Sequence, residues 1–206
     1  MTKVKICGLS SCEDIEYVNE LKPDFVGFVF YAKSKRAVTM EKALELKGLL
    51  DRSIKTVGVF VNADLGFVAE LAALGVIDLI QLHGDEDAEY CEQLRLLTDA
   101  PLIKAVRVRS RESLRGLEKY PAEYFLFDTY QAGVYGGTGQ RFDVELGEDI
   151  PRPFFVAGGL DAGNVADVIK KTQAFAVDVS GGVETDGRKD PKKIAAFIAS
   201  VRGEEQ

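Results

Sequence analysis

Histidine occurs once in these 206 residues, at His83, and cysteine three times, at Cys7, Cys12 and Cys91. A single histidine cannot build a histidine-rich metal centre, and no further Cys or His lies close to the Cys7 and Cys12 pair to complete one. Three cysteines cannot all pair within one chain, and the opening Met-Thr-Lys-Val-Lys-Ile-Cys has no apolar signal-peptide core. A reduced, cytoplasmic protein is therefore expected. No apolar run approaches membrane-spanning length. Basic runs are also missing, and the formal charge of −7 argues against nucleic acid or an anionic membrane as a general partner. An anionic small molecule would have to be held by local donors instead. No early G-x-G-x-x-G suggests a dinucleotide fold. No linker divides the chain, so one domain is expected over 1–206.

What is present is a regular alternation. Apolar, β-type runs begin near Val4, Phe25, Lys55, Asp78, Leu102, Tyr124, Phe154 and Phe175, spaced 21 to 30 residues apart. Most are followed by helical periodicity, the pattern of parallel βα units. Ser10-Ser-Cys-Glu13 reads as a capping box ahead of Ile15, Val18 and Leu21. Thr39 and Asp64 read as caps of the second and third helices, and the fourth is expected to bury Cys91, Leu94 and Leu97. Asp190-Pro191 is an N-cap and N1 pair before Ile194, Phe197, Ile198 and Val201. The fifth and sixth units are weak: Ser113–Leu117 is short, Asp143–Gly147 hardly makes a helix, and Gln131–Gln140 is a long Gly-rich loop. Eight such units predict an α/β single-domain (β/α)8 TIM barrel, near the lower size limit of that fold.

Two of the runs stop at Gly-Gly pairs, Gly158-Gly159 and Gly181-Gly182. Backbone N–H groups can approach a ligand closely there, and the loops after strands 7 and 8 of such a barrel commonly bind phosphate. Strand alternation turns Val4 and Ile6 outward and places Cys7 inward at the rim, with Lys5 one layer below. The same rule turns Asp128 and Asp178 inward. Cys7 and Asp128 would flank a ligand from roughly opposite sides, as a base and an acid must.

Each residue has a plainer reading. Cys7 could be a small buried hydrophobe, Asp128 a cap, and His83 either a substrate contact or a loop tether. Arg36, in Ser34-Lys-Arg36, is either a cation suited to bidentate carboxylate recognition or part of a solvated basic turn. Cys12 and Cys91 lie on helix stripes and read as packing.

Assembled, these stretches resemble the phosphoribosylanthranilate isomerase family along essentially the full chain. The resemblance is carried by Lys5–Gly8, Ser34–Arg36, Gln81–Gly84, Asp128-Thr129, Gly136–Gly139, Ala157–Leu160 and Asp178–Glu184. Seven motifs in this order, each at the end of an expected strand, are far more specific than any one alone.

The resemblance implies an Amadori rearrangement of N-(5'-phosphoribosyl)anthranilate in tryptophan biosynthesis, with no metal and no organic cofactor. Asp128 would be the general acid at the furanose ring oxygen and Cys7 the general base at C2'. Arg36 would hold the anthranilate carboxylate. Gly158, Gly159, Ser180, Gly181 and Gly182 would hold the phosphate, and Gln81, His83, Gly137 and Asp178 complete the expected substrate contacts. Lys5 or nearby helix N-termini are expected to favour the Cys7 thiolate, and Gly136–Gly139 to close as a lid.

Rivals are a related aminoaldose isomerase, usually built on paired aspartates, and a non-catalytic phospho-ligand-binding barrel. A synthase of the same fold would need an inward lysine at a strand end, for which only Lys104 is available. Surface apolar residues leave monomer and homodimer both open.

Overall fold

In the computed structural model eight parallel strands close on themselves in chain order. They are β1 (Lys3–Cys7), β2 (Phe25–Phe30), β3 (Lys55–Phe60), β4 (Leu79–Leu82), β5 (Leu102–Arg107), β6 (Tyr124–Asp128), β7 (Phe154–Ala157) and β8 (Ala176–Val179). Residues 1–108, 110–128, 150 and 152–203 are described. The loop Gln131–Gln140, the expected helix Asp143–Gly147 and the expected ligand contact Gly137 lie outside them.

Alternation along each strand splits the apolar residues into two cores. Phe25, Val57, Leu79, Ile103, Leu126, Phe155 and Ala176 fill the bottom of the barrel. Val4, Ile6, Phe28, Phe60, Ile80 and Leu82 face outward and pack against the helices. Each such side chain, fully buried, contributes about 1.5–3 kcal/mol through removal from water.

The helical layer comprises α1 (Cys12–Leu21), α2 (Met40–Leu49), α3 (Leu65–Ala73), α4 (Ala88–Arg95), α5 (Val165–Thr172) and α6 (Pro191–Arg202) among the described residues. Thr39, Asp64, Asp87 and Asp190 cap four of them through side-chain oxygens. The first cap differs by one residue from the sequence expectation. Ser11 is the N-cap of α1, because the Asp14 carboxylate reaches back to the amides of both Ser10 and Ser11. The fourth stripe also ends early: α4 stops at Arg95, so Leu97 is exposed rather than buried.

The weak fifth unit has no α-helix. Short 3-10 turns, Arg111–Leu114 and Leu117–Lys119, bridge β5 to β6. A two-stranded hairpin, β9 (Glu184–Thr185) and β10 (Arg188–Lys189), follows β8 and leads into α6. No helix among the described residues is long and apolar enough to cross a membrane.

Candidate active site

Register and alternation bring the polar residues together above the apolar plug. Lys5 on β1 is paired with Asp178 on β8, and both point inward. Their side chains therefore meet, with Lys5 Nζ 2.9 Å from Asp178 Oδ2 and the lysine fully buried. The same ammonium donates to Gln81 Oε1 at 2.9 Å. Gln81 Nε2 lies 2.8 Å from His83 Nδ1, and His83 Nε2 lies 3.2 Å from Asp128 Oδ2. One continuous chain of polar contacts thus runs Asp178–Lys5–Gln81–His83–Asp128 across the mouth of the barrel.

Cys7 sits beside the lysine end of this chain. Its neighbour on β2 is Gly27, and a Cβ there would come within 2.6 Å of Cys7 Sγ. The glycine is what leaves room for the sulfur. Burial pushes the Cys7 thiol above its ordinary value, and the Lys5 cation, which pulls the other way, does not cancel it. This direction runs against the expectation that Lys5 favours the thiolate. The physical reason is that the Lys5 charge is already neutralised by Asp178, while burial penalises the sulfur anion in full. Burial also opposes the charge on Lys5, but attraction to Asp178 and Cys7 outweighs it, and the ammonium is held above its usual range.

Arg36 reaches the same rim from the loop after β2, passing over Gly8, where a Cβ would run into the Arg36 side chain. Its Nε and Nη2 are 2.6 and 2.7 Å from the two carboxylate oxygens of Glu184. The bidentate edge expected to face a ligand carboxylate is therefore held by Glu184, and Nη1 carries no hydrogen bond among the described residues. Glu184 also accepts from Lys189 Nζ at 2.9 Å, and Lys189 donates to the Ser180 carbonyl at 3.0 Å. Ser180 Oγ in turn donates to the Cys7 carbonyl at 3.0 Å. Glu184 is thus the knot tying Arg36 to the loop after β8.

Burial works against the Glu184 carboxylate, yet hydrogen bonds from Arg36 and Lys189 prevail and draw it down from 4.5 to about 2. A carboxylate depressed on folding stabilises the protein above its unfolded value and loses that contribution as pH falls toward the folded one. Glu184→Gln should therefore lower stability by about 1–2 kcal/mol near neutrality, solvent screening included. The gap should narrow between about pH 4.5 and pH 2, where the wild type is losing the same contribution. Melting temperatures of both proteins across that range check this; a gap that is constant with pH would remove the linkage.

The two Gly-Gly loops occupy the neighbouring arc. Gly158 and Gly159 have φ of +100 and +64, and Asn164 Nδ2 pins the Gly159 carbonyl at 2.9 Å. After β8, Gly181–Val183 forms a three-residue 3-10 turn. A Cβ on Gly182 would collide with the Leu160 carbonyl oxygen, so the two loops touch where only glycine fits. The amides of Gly158, Gly159, Gly181 and Gly182 donate no loop hydrogen bond among the described residues. They form the kind of N–H cluster that receives an anion.

Sequence reasoning missed two features. Arg107 ends β5 on the inward register and lines a recess with His83, Gly84, Asp85 and Ala105. Its signal was the alternation Ile103, Ala105, Arg107. Glu86, which accepts from the amides of Asn62 and Gly84 and from Lys104, anchors the loop that carries His83. Lys104 itself points outward to Glu86 and over Tyr120, which removes the inward strand-end lysine a synthase would need.

Comparison with known proteins agrees with this geometry. Residues 4–200 match the family model described as N-(5'phosphoribosyl)anthranilate (PRA) isomerase. An N-(5'-phosphoribosyl)anthranilate isomerase from Thermoanaerobacter pseudethanolicus is 48% identical over 205 residues, covering 98% of this chain and 99% of the relative. The crystal structure of phosphoribosyl anthranilate isomerase from Thermotoga maritima superposes with a TM-score of 0.87 at 37% identity, over 98% of this chain and 100% of that one. A crystal structure of phosphoribosyl anthranilate isomerase in complex with reduced 1-(o-carboxyphenylamino)-1-deoxyribulose 5-phosphate gives a TM-score of 0.85 at 35% identity, with coverage of 98% and 100%. With likeness of that extent over nearly the whole chain, this protein belongs to the N-(5'-phosphoribosyl)anthranilate isomerase family, enzymes of tryptophan biosynthesis.

Proposed function

We infer that Cys7 and Asp128 are the base and acid of this isomerisation. Asp128 gives its proton to the furanose ring oxygen, the C1'–O bond breaks, and the substrate nitrogen takes up the positive charge as an iminium. Cys7, as thiolate, removes the C2' proton, and the electron pair moves to form an enolamine. Tautomerisation to the ketone, with protonation at C1', completes the rearrangement. The nitrogen of the substrate is the electron sink, so these two side chains account for the proton transfers by themselves.

The observation that carries this reading is the convergence of the inward ends of β1 and β6. Cys7 and Asp128 stand three strands apart around the ring, joined by the chain through Lys5, Gln81 and His83. The amides of Gly158, Gly159, Gly181 and Gly182, which donate no loop hydrogen bond among the described residues, support a phosphate on the adjacent arc, with Ser180 fixing that loop to β1. Arg36, steadied by Glu184, is left to meet the anthranilate carboxylate through Nη1. Free cysteines at 7, 12 and 91 fit a reducing, cytoplasmic setting.

The test is steady-state turnover of phosphoribosylanthranilate, generated in situ, by the wild type and by Gly182→Ala. Fast wild-type turnover is expected. The variant should show a KM raised roughly tenfold or more, the weight of one or two hydrogen bonds to a charged group, with a smaller change in kcat. A wild type that turns over an aminoaldose phosphate lacking the anthranilate ring equally well would favour the related isomerase instead.

A further inference from the structure

We propose that Gln81 is a positioning residue that fixes the tautomer of His83 and thereby decides which oxygen of Asp128 carries the acid proton. The proposal rests on Asp128 being the general acid. Its logic begins at Lys5, whose ammonium can only donate. The Gln81 atom 2.9 Å from it must be the carbonyl oxygen. The amide nitrogen then faces His83 Nδ1 at 2.8 Å, and an amide nitrogen also only donates. Nδ1 is therefore the bare nitrogen of the neutral ring, and the ring proton sits on Nε2. From there it donates to Asp128 Oδ2, 3.2 Å away. An oxygen accepting from Nε2–H cannot also bear a proton along that contact. The carbonyl oxygen of a carboxylic acid is the better acceptor, so when Asp128 is loaded for the acid step the contact to Oδ2 favours the proton on Oδ1.

Lys5 is fully buried and Gln81 is 1% exposed, so bulk water does not compete for these orientations. From the far side Asp178 fixes the ammonium at 2.9 Å. The chain orients donors and does not conduct protons. Passing one through Gln81 would require an imidic acid, and Lys5 holds its protons more firmly than usual. Lys5 takes one acceptor position of the Gln81 oxygen and His83 one donor of its amide nitrogen.

Because His83 is the sole histidine, ring-15N-labelled enzyme gives one pair of ring signals that report the tautomer directly. At about pH 8, above the ordinary histidine range, the free wild type should show a protonated Nε2 and a bare Nδ1. Gln81→Glu keeps the acceptor for Lys5 but offers Nδ1 only a second acceptor. It should place a proton on Nδ1 and lower kcat by about 10- to 100-fold, with KM within about threefold. Gln81→Met, which removes both amide ends at similar volume, should give mixed tautomers and a smaller loss. A wild-type ring protonated on Nδ1 overturns the proposal, as does Gln81→Glu with wild-type ring signals or wild-type kcat. Failure of the acid assignment looks different: Asp128→Asn would turn over normally while the ring signals stay as expected.

Discussion

Replacing Cys7 by alanine should lower the single-turnover rate by about 10²–10⁴-fold, the usual contribution of a well-placed general base. Affinity for the phosphorylated product should stay within about threefold, because the phosphate loops do not include this side chain. The alternative role for a small buried residue is packing, and the two roles part cleanly here. The sulfur lies against the Gly27 backbone, and a Cβ on that glycine would approach it to 2.6 Å. Losing one sulfur atom from such a slot costs about 1 kcal/mol or less, a shift of a few degrees in Tm. A variant that melts normally and binds product, yet turns over hundreds of times more slowly, is a lost base.

Cys7→Ser sharpens the distinction. It nearly restores volume but substitutes a hydroxyl that ionises far less readily, so it should remain crippled. Recovery of turnover in the serine variant would leave packing as the role of Cys7. Burial raises the thiol, which favours the protonated sulfur in the free protein. The form competent to start the reaction is the one with the proton on Asp128 and the thiolate at Cys7. The two arrangements bind the same number of protons, so their equilibrium is independent of pH and reflects the pair as a unit. The polar chain between them is therefore part of what sets the rate.

How much of this was readable beforehand divides along physical lines. Strand periodicity is local, so the eight strands and the inward sense of Cys7, Asp128 and Asp178 followed from spacing alone. Glycine pairs ending strands 7 and 8 also declare themselves locally. Pairings that depend on barrel closure do not. Lys5 and Asp178 are 173 residues apart, and only the β1–β8 register sets them side by side. Arg36 and Glu184 are 148 apart, and their ion pair turns an apparently available guanidinium into a partly committed one. The surroundings of the thiol were hidden for the same reason: Lys5 looks like an activating cation until Asp178 is placed next to it. Arg107 went unnoticed because it belongs to no motif, although the alternation of β5 marks it as inward.

Lys5→Met should be the most destabilising single change in this layer. The lysine is fully buried, and its ammonium contacts Asp178 and Gln81, each at 2.9 Å. Asp178 Oδ1 is already buried without a hydrogen-bond partner, so removing Lys5 strips the remaining oxygen of its cation and leaves an uncompensated buried charge. Breaking such a pair costs about 3–5 kcal/mol, against a total stability of about 5–15 kcal/mol. For a chain of this size that corresponds to a drop in Tm of roughly 6–20 °C. The pH dependence identifies the cause. In the variant the carboxyl can escape the penalty by taking up a proton, which places its folded-state value above the unfolded one of ~3.9. The deficit should therefore be largest near neutrality and shrink as the pH falls. Lys5→Met combined with Asp178→Leu replaces the pair by apolar groups and should recover most of the stability. It should not recover turnover, because the donor that orients Gln81, and through it His83 and Asp128, is still missing. A double variant as unstable as Lys5→Met alone would mean that shape in the barrel, rather than the orphaned charge, sets the cost.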